Sequence, residues 1–196
     1  MSGIEVRPAS VFEDVAAVLG PKKQTSSNCF CLSYRIGSKE NQALRGPDRF
    51  ERVRGLCAED PPPGVLAYDG ADPVGWAAIH PRADTSFATN RRIPQVDGHE
   101  DPWSLWCVRV RPGHRKQGIS HELVAGAVEF ARARGARVVE AYPVDNRGAK
   151  VDLTMAYVGT RPLFERAGFE YVTDTTSVLN GFTRVLMRYW TGHQQR

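Results

Sequence analysis

The sequence predicts a single α/β domain in which a mixed central sheet of about seven strands is flanked by about four helices. Three observations lead there. A chain of 196 residues is enough for one domain and hardly for two. An apolar hairpin in its first half calls for antiparallel strands, and a strand, helix, strand succession in its second half calls for a parallel pair joined by a right-handed crossover. Hydrophobic residues make up 41% and charged residues 24% of the chain, a balance that excludes disorder, a collagen-like fibre and a coiled coil.

The elements read in order as follows. Residues 3 to 7 alternate as a short strand. Ser10 and Glu13 then have the spacing of a capping box in front of Val15, Val18 and Leu19, which predicts a helix over 10–19. Residues 21 to 36 show no pattern. Residues 38 to 58 carry Ala43, Leu44, Phe50, Val53 and Leu56 among charges, a helix broken at Gly46-Pro47 and ended by Pro61-Pro62-Pro63. Strands over 64–68 and 74–79 are joined by Asp69-Gly70-Ala71-Asp72-Pro73, whose Asp-Gly and Asp-Pro pairs mark a turn.

Residues 81 to 101 are polar and aperiodic, a loop long enough to be functional or mobile. A strand over 104–110 stops at Pro112-Gly113. Ile119, Leu123, Val124, Ala127, Val128 and Phe130 then line one face of a helix over 117–134, closed by Gly135. A strand over 137–142 completes the crossover. A polar loop leads to a short helix over 160–167, with Thr160 as its cap and Pro162 in its first turn. Strands over 169–173 and 182–189 follow Gly168.

Several function classes fall away on the same reading. No run approaches the ~18 apolar residues of a membrane span, and the first residues lack a signal peptide's apolar core, so a cytoplasmic location is expected. The cysteines Cys29, Cys31, Cys57 and Cys107 are too few and too irregular for a disulfide framework. Cys29-Phe30-Cys31 finds no second ligand pair, since His80, His99, His114, His121 and His193 are scattered; no metal is expected. Lys+Arg 26 against Asp+Glu 22 leaves +4, and the basic pairs Lys22-Lys23, Arg52 with Arg54, and Arg91-Arg92 alternate with acids outside any nucleic-acid module. Nucleic acid is therefore not an expected partner.

The segment Val108 to Ser120 carries the chemistry. A strand ends, a basic turn follows with Arg111, Arg115 and Lys116, and Gly118 opens a helix. Unpaired amides and the helix dipole make such a terminus suited to a pyrophosphate, and Gly118 lets backbone approach an anion closely. The bland alternative is an ordinary strand-to-helix turn whose charges serve solubility. There is no Gly-x-Gly-x-x-Gly for a Rossmann site and no Gly-Lys-Ser or Gly-Lys-Thr for a Walker loop.

Arg115-Lys116-Gln117-Gly118-Ile119-Ser120 resembles the acetyl-CoA motif of the GNAT acyltransferase superfamily: Gln or Arg, any two, Gly, any one, Gly or Ala. Ser120 replaces the final Gly or Ala. The preceding Val108-x-Val110-x-Pro112 strand and the downstream Leu163-Phe164-Glu165-Arg166-Ala167-Gly168-Phe169 are similar to the family's as well. The resemblance covers about residues 103 to 173 and implies one GNAT-like domain over residues 1–196. Its expected cosubstrate is acetyl-CoA, held by Val108, Arg109, Val110, Arg115, Lys116, Gln117, Gly118, Ile119 and Ser120. The implied reaction is direct attack of a primary amine on the thioester, with a backbone N–H of the 107–110 strand facing the oxyanion.

The acid and the base are less legible. The family's late-helix tyrosine, which protonates the leaving thiolate, is replaced here by Phe164. Tyr157 is the substitute candidate, against a reading as a packed loop aromatic, and Tyr142 is another. Residues 104 to 110 hold no carboxylate. Glu140 interrupts the apolar crossover strand and is the candidate base as a half-buried carboxylate, against a reading as a solvent-facing strand residue; Glu100 and Asp101 are further candidates. Cys107 reads as packed rather than nucleophilic. Phe30 and Trp103 are candidates for substrate contact.

Residues 21 to 58 and 81 to 101 should form the acceptor side. Their Arg35, Lys39, Arg45, Arg91 and Arg92 argue against a highly cationic acceptor and leave a small-molecule amine or a protein amine. A homodimer stays open. The alternative to an enzyme is an acyl-CoA-binding sensor or interaction module without catalysis, motivated by Phe164 and the carboxylate-free strand.

Overall fold

Along the chain the elements are β1 (Ile4–Pro8), α1 (Phe12–Leu19), α2 (Ser38–Ala43), α3 (Gly46–Cys57), β2 (Gly64–Asp69) and β3 (Asp72–Pro81), then β4 (Trp103–Val110), α4 (Ile119–Arg132), β5 (Val138–Ala141), α5 (Arg161–Arg166), β6 (Glu170–Leu179) and β7 (Phe182–Trp190). The computed structural model describes residues 3–21, 30–95, 101–152, 157–179 and 181–192. One seven-stranded sheet has the order β1-β2-β3-β4-β5-β7-β6. Every neighbouring pair is antiparallel except β4 and β5, which run parallel through Trp103↔Val139, Ser104↔Glu140 and Leu105↔Ala141. The expected crossover is therefore present, with α4 as its connection.

Side chains alternate across the sheet and build a core on each face. On one face α4 lays Ile119, Leu123, Val124, Ala127 and Phe130 against Val65, Ala77, Ile79, Leu105 and Val139. Each large apolar side chain buried in this way stabilises by about 1.5–3 kcal/mol. The other face packs Trp76, Ala78, Trp106, Cys107 and Tyr142 under α1, α3, residues 30–36 and Phe87 with Ile93. Cys31, Cys57 and Cys107 are free thiols, all buried; Cys29 lies outside the described residues.

Several boundaries differ from expectation for local reasons. The predicted capping box is not formed: α1 starts at Phe12 behind Val11, with no side-chain cap, and the Ser10 amide instead bonds the Pro8 carbonyl at 3.0 Å. Five helices are seen among the described residues, and the break expected at Gly46-Pro47 falls instead at Leu44-Arg45, with Gly46-Pro47 opening α3. Proline is tolerated there since a first-turn amide has no intrahelical partner. Thr160 precedes α5 without a side-chain cap.

The stretch after Pro81 is packed rather than free: Arg82–Asp84 and Ser86–Thr89 form two short 3-10 turns, and Arg82, Phe87 and Ile93 are buried. Residues 96–100, including Glu100, lie outside the described residues. β6 runs six residues past its expected end, as an edge strand with irregular pairing. Among the described residues no helix is long and apolar enough to cross a membrane.

Candidate functional site

The turn between β4 and α4 adopts the conformation that its glycines permit. Gly113, Lys116 and Gly118 have φ of +93°, +65° and +81°, and Gly118 is the residue before the first turn of α4. None of the amides from Lys116 to Ser120 bonds a backbone acceptor among the described residues, whereas the His121 amide reaches the Gly118 carbonyl at 2.8 Å. A Cβ placed on Gly118 would meet nothing within 4 Å, so the space in front of these amides is open. Arg115, Lys116 and Gln117 are exposed around it. Ile119 is buried in the core and offers the cradle only its backbone.

The sheet opens next to this turn. In the β3–β4 ladder Ala78 pairs with Cys107 and Ile79 with Leu105, which leaves Trp106 as an extra residue. A bulge of this kind bends and twists its strand, and the parallel ladder with β5 ends at Leu105. The Arg111 amide bonds the Val74 carbonyl of β3, so by alternation the amides of Val108 and Val110 face away from β3 into the gap. The Val108 N–H donates to the Tyr157 carbonyl at 2.7 Å, and the Gly159 carbonyl accepts from Val144 at 3.1 Å. The segment around Tyr157 thus lines the gap between β4 and the continuation of β5.

Under the gap, on the face away from α4, lies a buried polar layer. Glu140 is 1% exposed and its two carboxylate oxygens receive Arg82 Nη1 at 2.5 Å and Arg188 Nη2 at 2.8 Å. The Tyr142 hydroxyl donates to Glu140 at 2.9 Å, accepts from Arg82 at 2.8 Å and meets Ser104 at 2.9 Å. This corrects the expectation of a half-buried base and equally that of a solvent-facing residue. With Arg82 Nη1 and the Tyr142 hydroxyl on one oxygen and Arg188 Nε and Nη2 on the other, the four acceptor positions of the carboxylate are taken, and none is left for a substrate. Tyr142 is wholly buried, and burial, then the Glu140 charge, push its hydroxyl far above the usual phenol range.

Arg184 occupies the same layer on β7 and is 1% exposed. Its Nε donates to the Tyr142 carbonyl at 2.7 Å and its Nη1 to the Tyr34 hydroxyl at 2.8 Å, while its buried Nη2 has no partner. The Tyr157 side chain is half-buried; burial, then contact with the Tyr34 hydroxyl, raise its pKa well above the usual phenol value, and the Cys31 thiol lies beside it. Burial likewise raises Cys31, which interacts with Cys107. Cys31 is therefore a protonated packing group, and Cys107 is packed in the same core, 1% exposed.

Other candidates separate. Phe164 is wholly buried on the α4 face, in an edge contact with Phe169 at 5.1 Å. Trp103 is also core on that face, against Phe130, and Phe30 is core on the other, between Phe12 and Phe50; both side chains are buried rather than open to the surface. Arg35, counted above as a free acceptor-side cation, bonds Glu59 at 2.8 Å and the Asp84 carbonyl at 3.0 Å. It shares a cleft of about 490 Å³ with Glu59, Asp60, Pro61, His80 and Asp84, so carboxylates do gather on this side. Among the described residues no metal-ligand cluster occurs.

Sequence reasoning missed Arg82, Arg184 and Arg188. The last two had a signal: they stand four apart in the apolar strand Phe182–Trp190, on one face, where arginine is unexpected.

The sequence matches the model of the acetyltransferase (GNAT) family over residues 33–169. No curated protein sequence matches it. Among solved structures the chain is similar to a GNAT-family protein from Desulfovibrio desulfuricans, at 19% identity and TM-score 0.53, over 96% of this chain and 99% of that one. It is similar to yncA from Salmonella typhimurium, solved with acetyl-CoA as its cofactor, at 13% identity and TM-score 0.52, over 99% and 97%. Ard1 from Thermoplasma volcanium aligns at 12% identity and TM-score 0.54, over 97% and 99%.

Proposed function

Because the chain belongs to the acetyltransferase (GNAT) family, we propose that it moves an acetyl group from acetyl-CoA to a primary amine by direct attack on the thioester. One domain over residues 1–196 would carry this activity in the cytoplasm. The observation that carries the reading is the pairing of an open amide cradle at Gly118 with a strand edge facing the gap at Val108 and Val110. A pyrophosphate fits the first, since the amides of Lys116 to Ser120 and the α4 dipole favour an anion. An extended pantetheine fits the second as an added strand, with Arg115, Lys116 and Gln117 at the rim.

In this reading the Val108 N–H exchanges the Tyr157 carbonyl for a substrate oxygen, and a strand amide in the gap stabilises the charge that develops on the thioester carbonyl. Tyr157, on the acceptor side of the gap, donates a proton to the leaving thiolate in place of the Phe164 position. Glu140 holds Arg82 and Arg188 and takes no proton from the amine. The amine itself belongs to a small molecule or to a protein, and nucleic acid is not proposed as a partner.

Isothermal titration tests the core of the proposal. The wild-type protein should bind acetyl-CoA at micromolar concentration, and Gly118→Val should weaken that by tenfold or more. Asparagine tolerates positive φ, so Gly118→Asn separates loss of the cradle from backbone strain. Absence of wild-type binding at high micromolar acetyl-CoA would sink the reading. The occupied Val108 amide supports a second reading, a non-catalytic acyl-CoA-binding module; tight binding with no thiol release for any amine would favour it.

A further inference from the structure

We infer that Tyr34 and Arg184 are positioning residues of the proton donor, forming with Tyr157 a relay in which the buried guanidinium receives the negative charge left when the thiolate is protonated. The inference rests on the acyl-transfer reading and on Tyr157 as the acid. Its starting point is a charge that the fold leaves without a counter-ion. Arg184 is buried, yet its polar partners among the described residues are a carbonyl and a phenol, with no carboxylate and with Nη2 unsatisfied. Arg82 and Arg188, in the same layer, have Glu140. A buried guanidinium without an anion is costly, and the nearest group able to become an anion is the Tyr34 hydroxyl at 2.8 Å.

The placement of Tyr34 is over-determined. Its φ of +66° is in the left-handed region, which costs a non-glycine residue on the order of 1–3 kcal/mol. Its carbonyl accepts the Ser86 amide at 2.8 Å, its ring stacks on Phe87 at 4.5 Å and 16°, and its hydroxyl receives Arg184. Phe30 and Cys31 on the same segment also have positive φ, at 57° and 47°. Three restraints and local strain hold one phenol where it meets Tyr157, whose own carbonyl sits on the Val108 amide of the gap.

The step balances as follows. The amine nitrogen forms a bond to the acyl carbon, the C–S bond breaks, and sulfur leaves with the bonding pair. Tyr157 gives its hydroxyl proton to sulfur and takes the Tyr34 proton, so the negative charge comes to rest on the Tyr34 oxygen against the Arg184 guanidinium. The proton released by the amine returns through water to restore the phenol pair. Groups acting on the pair are Arg184 and the protonated Cys31 thiol, with the Arg109 cation of β4 acting on Cys31 in turn; no carboxylate is among them.

The test uses the full chain with acetyl-CoA and hydroxylamine, a small amine that is neutral near pH 7, and measures thiol release. Tyr157→Phe and Tyr34→Phe should each lower kcat on the order of 10²-fold, with the KM for acetyl-CoA within twofold. The double variant should be no slower than either single one, because the two act as a unit. Arg184→Lys keeps the charge and should lose less than Arg184→Met, with the alkaline limb of the kcat profile displaced in both. Tyr34→Phe keeps the ring on Phe87, and an unchanged melting temperature would establish that it folds.

A Tyr34→Phe protein with wild-type kcat, or a double variant whose losses multiply, would overturn the relay while Tyr157→Phe still reports on the acid. A wild-type rate in Tyr157→Phe would remove the acid and the relay together. Binding of acetyl-CoA by the wild-type chain without thiol release, with hydroxylamine and with every other amine offered, would overturn the transfer reading itself.

Discussion

At the scale of residues, the site separates groups that hold the sheet together from groups free to do chemistry. Glu140 belongs to the first kind. Glu140→Gln leaves Arg82 and Arg188 with a neutral partner in a buried layer, and breaking such a pair costs about 3–5 kcal/mol. The expected result is a large fall in urea midpoint, with acetyl-CoA affinity retained in the folded fraction; a wild-type midpoint would show that the charge is dispensable. The sequence displays Glu140 as a charge inside an apolar run, but its partners come from a loop and from another strand. No local spacing announces that Arg82, Glu140 and Arg188 meet. The contacts of Tyr34 were hidden for a different reason: within residues 30–36, Phe30, Cys31 and Tyr34 have positive φ, which leaves no periodicity to read.

Among the elements, the crossover from β4 through α4 to β5 was legible because its signals are local. Heptad-like apolar spacing, a glycine at each end of α4 and short apolar strands all lie within about 40 residues of one another. The second half of β6 was not legible, since its alternating buried positions are the polar Thr175 and Ser177, which carry no apolar signal. One contact between elements makes a sharp prediction. A Cβ on Gly126 of α4 would lie 2.4 Å from Val6 Cγ1 and 2.6 Å from Val6 Cβ of β1, so helix and strand approach through this glycine. Alanine would gain about 1 kcal/mol of helix propensity but overpack a close contact, at about 1–3 kcal/mol. Gly126→Ala should therefore lower the melting temperature, and Val6→Ala in the same chain, which removes the γ-methyls but keeps the Cβ, should recover only part of the loss; a more stable single variant would contradict the packing.

For the whole molecule, acid stability should depend on His80. This side chain is 3% exposed on β3, with its Nε2 3.4 Å from the Pro61 carbonyl and its Nδ1 3.5 Å from Asp84. Burial first, and then the Arg35 cation, lower its pKa below the ordinary 6.5, against the opposing charges of Asp84 and Glu59. The unfolded chain thus takes up a proton before the folded one does. Stability associated with His80 is complete above about 6.5 and is lost as pH falls through the lower folded value. Melting temperatures between pH 7.5 and pH 5 should drop more steeply for the wild type than for His80→Gln, and parallel curves would remove His80 from the acid response.

The short parallel ladder also gives the sheet an edge in its own interior. Past Leu105, β4 has a neighbouring strand on only one side, so the Val110 amide faces the gap as a border strand's would, while the Val108 amide is held by the Tyr157 carbonyl. Border strands ordinarily recruit other chains and aggregate. This one is flanked by β3 and by the Val144 segment, with the Tyr157 carbonyl already on the Val108 amide. The Tyr157 segment meets it through that one hydrogen bond, which an incoming acceptor oxygen could replace. The fold thereby keeps a border strand in the middle of its sheet with most of its edge already covered by its own chain.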